Sequence, residues 1–328
     1  MKLNVQHPSQ EVNGELTITG SKSESNRLLV LQALYPQIKI QNLSNSDDSQ
    51  VTQKGLKSKS NTIDIHHAGT AMRFLTAYFA IQPHREVVLT GSERMQERPI
   101  KLLVEALNGL GADISYEKEP GFPPLIIRGK EISTDRVSLP ADISSQYISA
   151  LMLIAPSLKN GLKIDLIGET TSVPYIKMTQ DIMNQLGFEV AFDGDQITVK
   201  PTKTIDPNHW TVESDWSSAS YFYSIIALSK IGSEIRLSSY SKESLQGDSV
   251  LAKIYLHFGV ETSFKENSIL LRKTKESSKD LLKIDLNKAP DIAQTIAVTC
   301  FGLGISCNLN GLHTLKIKET DRLEALHK

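Results

Sequence analysis

Lys22 and Arg27 stand about one helical turn apart in GSKSESNRLL, with Ser23 and Ser25 between them and an apolar run behind. That pattern reads as the start of a helix, where the first N–H groups lack internal partners and the macrodipole is positive. Two cations and two hydroxyls added there make a site for a phosphate or a carboxylate. Glu24 also offers a local ion-pair partner, and a solvated surface accounts for either cation alone. PADISSQYISALM places Ser144, Ser145 and Gln146 at a second such start, as a phosphate site or as a doubled cap. In GSERMQERPIKLL, Arg94 and Arg98 lie four apart beside Glu93 and Glu97, with Pro99 opening the next helix. Arginine suits two-pronged recognition of a carboxylate, and ion pairs with the glutamates are the alternative. LKIKETDRLEAL gathers Lys316, Lys318, Glu319, Asp321 and Arg322, a pattern that also fits a solvated helix start capped by Thr320. Asp291, behind Pro290 and ahead of an apolar helix, is either a cap or a base facing the other groups.

The elements that position these residues repeat. Five segments put small or hydroxyl residues before an apolar helix: Ser21-Lys22-Ser23, Ala68-Gly69-Thr70, Ser144-Ser145, Ser217-Ser218 and Pro290-Asp291. A short apolar strand follows each, as KIKIQNLS, EVVLTGS, LKIDLIGET, EIRLSSYS and SCNLNGL, and then a second helix. Three of these second helices end at Leu110-Gly111, Leu186-Gly187 and Phe258-Gly259, where glycine predicts a left-handed stop. A strand pair closes the unit, clearest in FEVAF-DGDQ-ITVKP, where Asp193-Gly194 supplies hairpin turn chemistry. The later copies recur at a period of roughly 75 residues, and the first is shorter. Plain helix capping explains any one start, including Ser217, but not the Lys, Arg or Gln that several carry in the first turns. The fifth copy stops inside its second helix, so the chain is expected to end before the repeat is complete.

Composition narrows the function. The 328 residues are 40% hydrophobic and 22% charged, and 36 basic against 37 acidic side chains give a net charge of −1. That length predicts two domains. No positive excess is present to neutralise a nucleic-acid backbone, so nucleic acid is not an expected partner. No apolar stretch approaches the roughly 20 residues of a membrane span, and the N-terminus does not read as a signal peptide. Cys300 and Cys307 fit no zinc spacing and form no disulfide framework, and neither they nor the adjacent His66-His67 predict a metal site. The expected setting is cytoplasmic, and the expected state is a monomer.

The segments GSKSESNRLL, HAGTAMRFL, ERMQERPI, SSQYISALM, SVPYIKMT, DWSSASYF, APDIAQTIAV and KETDRLEAL, in this order from Ser21 to Leu326, resemble the 5-enolpyruvylshikimate-3-phosphate synthase family. The resemblance implies an α/β (α+β) fold of two domains, the enolpyruvyl transferase fold. Six βαβαββ units make that fold, three to a domain with a cleft between, and five of the six are at least partly present here. It assigns residues 1–20 plus 214–328 to one domain and 21–213 to the other. The implied reaction moves the enolpyruvyl group of phosphoenolpyruvate to the 5-hydroxyl of shikimate 3-phosphate and releases phosphate, in the route to chorismate and the aromatic amino acids. It implies no metal or organic cofactor. By matching position, shikimate 3-phosphate falls to Lys22, Ser23, Arg27, Ser144, Ser145, Gln146, Ser172, Tyr175, Asp291 and Lys318. Phosphoenolpyruvate falls to Lys22, Gly69, Arg98, Gln146 and Arg322. Asp291 matches the acceptor of the 5-hydroxyl proton, and Glu319 with Lys22 matches the proton transfer at the methylene carbon.

The chain departs from the family pattern in three places. His66-His67 stand where Gly-Asn usually precede Ala-Gly-Thr, Thr314 stands where an Asn often contacts shikimate 3-phosphate, and the family's last Arg and Lys for phosphoenolpyruvate fall beyond residue 328. Two alternatives compete with the main reading. UDP-N-acetylglucosamine enolpyruvyl transferases share the fold but typically carry a cysteine on a loop of the first-half domain, whereas both cysteines here follow residue 299. A chain ending early is also expected to be able to bind substrate without turning it over.

Overall fold

The computed structural model describes residues 7–168, 173–317 and 320–327. β1 (Asn13–Thr17) leads into α1 (Lys22–Leu34), β2 (Ile38–Gln41) and α2 (Asp47–Lys57). A complete unit follows: β3 (Thr62–Asp64), α3 (Gly69–Ala80), β4 (Glu86–Thr90), the single turn α4 (Glu93–Gln96), α5 (Lys101–Gly109), β5 (Asp113–Tyr116) and β6 (Leu125–Arg128). The next repeats it as β7 (Arg136–Pro140), α6 (Ser145–Ile154), β8 (Leu162–Ile167), α7 (Val173–Gln185), β9 (Val190–Phe192) and β10 (Gln196–Val199). After β11 (Asn208–Thr211) come α8 (Trp216–Leu228), β12 (Glu234–Ser238), α9 (Leu251–Ile254), β13 (Val260–Lys265) and β14 (Ser268–Lys273). β15 (Leu282–Asp285), α10 (Ala293–Leu303), β16 (Cys307–Asn310) and α11 (Arg322–His327) complete the described elements.

Three four-stranded sheets share one topology, β3-β4-β6-β5, β7-β8-β10-β9 and β1-β12-β14-β13. In each, the first two strands are parallel and the remaining pairings antiparallel. In the first two sheets the parallel pair carries its crossover helix, and in all three the hairpin closes the sheet, as the repeat predicts. Gly194 turns the β9–β10 hairpin at φ +105, and Asp193 Oδ1 accepts from Gln196 N at 3.1 Å. Gly259 is required twice over: φ is +74, and a Cβ there would lie 2.0 Å from the Lys275 carbonyl oxygen.

Two parallel pairs stand apart, β11-β2 and β15-β16. The first explains the short opening copy. β2 takes its parallel partner from residues 208–211, while β1, which precedes α1 in sequence, pairs with β12. The chain accordingly divides into two compact units, Met1–Thr19 with Glu213–Lys328, and Gly20–Val212.

The Gly20–Val212 unit is built around α1, α3 and α6, which pack on one another. Glu24 through Leu31 are all buried, as are nearly all of α3 and α6. A helix buried all round belongs to a core rather than to a surface stripe. Leu28, Leu31, Met72, Phe74, Leu75 and Leu151 have no exposed surface, and each contributes about 1.5–3 kcal/mol of transfer free energy. The other unit centres on aromatic side chains from α8 (Trp216, Tyr223), from the segment after β12 (Tyr240) and from the 3-10 turn after α9 (Tyr255, Phe258), with α10 packed on α8.

Two candidate caps differ. The α8 cap is Asp215, whose Oδ1 accepts from Ser218 N at 2.7 Å, so Ser217 and Ser218 lie inside the helix. Asp291 is not the α10 cap: that helix starts behind Ile292, and Asp291 sits in the preceding 3-10 turn.

Candidate active site

In the Gly20–Val212 unit the starts of α1, α3 and α6 come together through side chains. Asp48, in the first turn of α2, accepts from Asn26 Nδ2 of α1 at 2.9 Å and from Ala71 N of α3 at 3.3 Å. The N–H of Thr70 also reaches this carboxylate, and Lys22 acts on it as a neighbouring charge. Gln146 of α6 donates from Nε2 to Thr70 Oγ1 at 3.2 Å. Ser144 caps α6 by accepting from Gln146 N at 3.4 Å, and Ser145 is buried beside it. α3 has no side-chain cap of its own, since Ala68 occupies that position. The carboxylate supplied by α2 takes that role. Burial pushes the Asp48 carboxyl up, and Lys22 and the hydrogen bonds to Ala71, Asn26 and Thr70 oppose the shift.

Arg98 lies against the same helix start. A Cβ placed on Gly69 would stand 2.5 Å from Arg98 Nη1 and 2.9 Å from Cζ, so only glycine lets the guanidinium approach so closely. Arg94 pairs instead with Glu97 at 2.8 Å on the surface, where an ion pair contributes little. The two arginines of ERMQERP therefore separate, one to solvent and one to Gly69. Arg73, one turn into α3, is buried and donates to the carbonyls of Gly69 at 3.2 Å and Pro99 at 2.9 Å. It thereby braces the loop that carries Arg98.

Arg27 is 3% exposed and spends four N–H groups within the protein. Nε donates to Thr179 Oγ1 at 2.7 Å, Nη1 to Ser23 O at 2.8 Å, and Nη2 to Ser149 Oγ at 3.0 Å and Tyr175 O at 3.3 Å. Burial pulls this guanidinium down to about 10, against the raising influence of Tyr175 and Glu24, and it stays charged at neutral pH. Two residues expected at shikimate 3-phosphate, Ser23 and Tyr175, are thus tied by one buried cation.

Of the expected residues outside this unit, Asp291 and Arg322 meet directly, Oδ1 to Nη1 at 2.9 Å. Their side chains are 24% and 28% exposed, so the pair remains open to solvent and to ligand. Ser172, Lys318 and Glu319 lie outside the described residues, as does the side chain of Thr314. His66 adopts φ +49 with its N–H on Asp64 Oδ1 at 2.7 Å, and His67 Nε2 lies 4.0 Å from Asp47 Oδ2. Both histidines line a shallow depression with Asp47, Gln50 and Val51 beside Ala68. Among the described residues, no group of three or more His, Cys, Asp or Glu side chains is placed to hold a metal ion. Sequence reasoning missed Asp48, Asn26, Thr70 and Arg73. Asp48 looked like any first-turn acid that complements a helix dipole.

Solved structures share this architecture. An EPSP synthase from Acinetobacter baumannii superposes with a TM-score of 0.76 at 19% identity, covering 97% of this chain and 77% of that one. A second, from the same organism, gives 0.62 at 16% identity over 94% and 93%. The class is therefore the two-domain enolpyruvyl transferase fold. The sequence narrows it further. The family model described as EPSP synthase (3-phosphoshikimate 1-carboxyvinyltransferase) matches residues 53–328. A 3-phosphoshikimate 1-carboxyvinyltransferase of Bacteroides fragilis is 46% identical over 324 residues, covering 97% of this chain and 77% of the relative. One from Haemophilus influenzae is 36% identical over 350 residues, covering 97% and 80%. The chain belongs to the EPSP synthase family. Among the described residues, no helix is long and apolar enough to cross a membrane.

Proposed function

We propose that this chain transfers the enolpyruvyl group of phosphoenolpyruvate to the 5-hydroxyl of shikimate 3-phosphate, with release of phosphate. The observation that carries the reading is the meeting of three helix starts in one unit, with Lys22, Gly69, Arg98 and Gln146 linked through Asp48 and Thr70. Two substrates bring two phosphates and two carboxylates, whose mutual repulsion must be offset by cations and oriented N–H groups. Lys22, Gly69, Arg98, Gln146 and Arg322 take phosphoenolpyruvate. Lys22, Ser23, Arg27, Ser144, Ser145, Gln146, Ser172, Tyr175, Asp291 and Lys318 take shikimate 3-phosphate, with Arg27 holding the Ser23 and Tyr175 backbone.

The reaction needs a base and an acid. As the 5-hydroxyl oxygen attacks the enol carbon, its proton goes to Asp291, and the methylene carbon gains a proton from Glu319 or Lys22. Loss of phosphate with return of the methyl proton then restores the enol ether. Each positioned acid or base supplies about 10²–10⁴ in rate. In the same reading the chain acts in the cytoplasm as a monomer, a setting that suits its two unpaired cysteines.

The test mixes the chain with both substrates and follows phosphate release together with the mass of the enolpyruvyl product. UDP-N-acetylglucosamine serves as the rival acceptor. Product from shikimate 3-phosphate alone is expected. Transfer to the sugar nucleotide, or failure to bind shikimate 3-phosphate at all, overturns the proposal.

A further inference from the structure

Asp48 presents a puzzle at the start of α3. An anion-binding helix start offers free N–H groups and a nearby cation, yet here a carboxylate of the protein already sits on the N–H groups of Thr70 and Ala71 beside Lys22. The arrangement is enforced. Asn26, with no exposed surface, commits its Nδ2 to Asp48 Oδ1 at 2.9 Å while its own Oδ1 finds no partner. A buried acceptor left unpaired is costly, so the amide is held in this orientation by its contact with Asp48. The repeat supplies a comparison. The start of α6 has no acid in its first turn and is capped only by the Ser144 hydroxyl. The start of α8 is filled by Asp215, with Asp248 on the Ser217 hydroxyl, and has no basic residue among its first turns. Of these three described helix starts, α3 alone brings together a cross-element carboxylate, an expected substrate cation and an arginine-backed glycine.

We propose that Asp48 is a specificity-determining residue for the transfer reaction: it lowers the affinity of the α3 start for simple phosphate. The inference rests on the reading of Lys22, Gly69 and Arg98 as the phosphoenolpyruvate site. Phosphate is the leaving group there. Helix N–H groups and Lys22 unopposed would retain it after the bond breaks. A fixed negative charge that shares those donors weakens any anion lacking further contacts, whereas phosphoenolpyruvate also has a carboxylate to place against an arginine.

The test is calorimetric titration of inorganic phosphate into the chain and into Asp48→Asn, which removes the charge but keeps an acceptor for Ala71 N–H. Phosphate is expected to bind roughly two- to thirtyfold more tightly to the variant, the range for a full charge at a helix end. Asp48→Glu is expected to return toward the parent value. A merely structural role gives the opposite sign, because a loosened site binds every anion more weakly. Unchanged or weaker phosphate binding, or none in either protein, overturns the inference. If Asp48→Asn does not fold, Asp48→Ser, whose hydroxyl can still accept from the helix, decides by the same criterion. Failure of the underlying reading is distinguishable, since phosphoenolpyruvate then fails to bind the parent chain in the presence of shikimate 3-phosphate, whatever inorganic phosphate does.

Discussion

Replacing Gly69 by alanine adds one methyl group at the point where α3 meets Arg98. That carbon would stand 2.5 Å from Nη1 and 2.9 Å from both Cζ and Nη2. Ordinary contact needs about 3.5 Å, so the guanidinium must retreat by about 1 Å. The helix itself loses nothing. Gly69 does not have a positive φ, and alanine in a helix is favoured over glycine by about 0.5–1 kcal/mol. Melting temperature should therefore hold or rise. Binding should not, because a charge-assisted hydrogen bond contributes about 1.5–3 kcal/mol, and a clamp displaced by 1 Å can cost about 10²-fold. Calorimetry with phosphoenolpyruvate in the presence of saturating shikimate 3-phosphate is expected to show a Kd raised about 10- to 100-fold. The Kd for shikimate 3-phosphate alone should stay within about twofold, since neither Gly69 nor Arg98 is among the residues assigned to it. Unchanged phosphoenolpyruvate affinity would refute the placement of Arg98 at that ligand. Equal weakening of both would show that the added methyl group disturbs the whole site.

Arg98→Ala should abolish most phosphoenolpyruvate binding while shikimate 3-phosphate still binds, as read by the same titrations; loss of both at native stability contradicts the division of residues. Glu213, half-buried, accepts from Trp216 Nε1 at 2.8 Å, Ser241 N at 2.9 Å and Ser244 Oγ at 2.5 Å, yet burial raises its carboxyl above the ordinary 4.5. A folded-state value above the unfolded one gives a contribution that is full below pH 4.5 and lost as pH rises through the folded value. Urea midpoints at acid and neutral pH should therefore show the parent chain losing stability relative to Glu213→Gln as pH rises, and a constant difference would exclude this origin.

The repeat was legible because each of its signals is local. Apolar periodicity, a small residue before each helix and glycine after Leu110, Leu186 and Phe258 are set by neighbours in the chain, and the structure places the three glycines at positive φ. Strand exchange was legible only through the family resemblance, which joins residues 1–20 to 214–328, and not in the strands themselves. β1 and β11 are both short strands, and nothing within either segment records that β1 joins β12 while β11 joins β2. Arg94 and Arg98 were equivalent in sequence, each beside a glutamate, and tertiary approach of Gly69 separates them. Asp291 could be read locally as a cap or as a base, because the residue partnering it, Arg322, is 31 positions away. Asp48 was hidden for the opposite reason: a first-turn acid has an adequate local explanation, and its contacts with Asn26 and Ala71 come from helices packed against its own. Arg27 was found as a cation, but its burial and its hold on Tyr175 depend on α7 folding over α1.

Titration of the chain with shikimate 3-phosphate, followed by phosphoenolpyruvate, probes the convergence of α1, α3 and α6 most directly. One equivalent of the first ligand should bind, and its presence should allow one equivalent of the second, with Arg98→Ala removing only the later step. Heat absent from the first injection series, at concentrations where the folded chain is intact, would contradict the assignment of these helix starts to a common pair of anionic substrates.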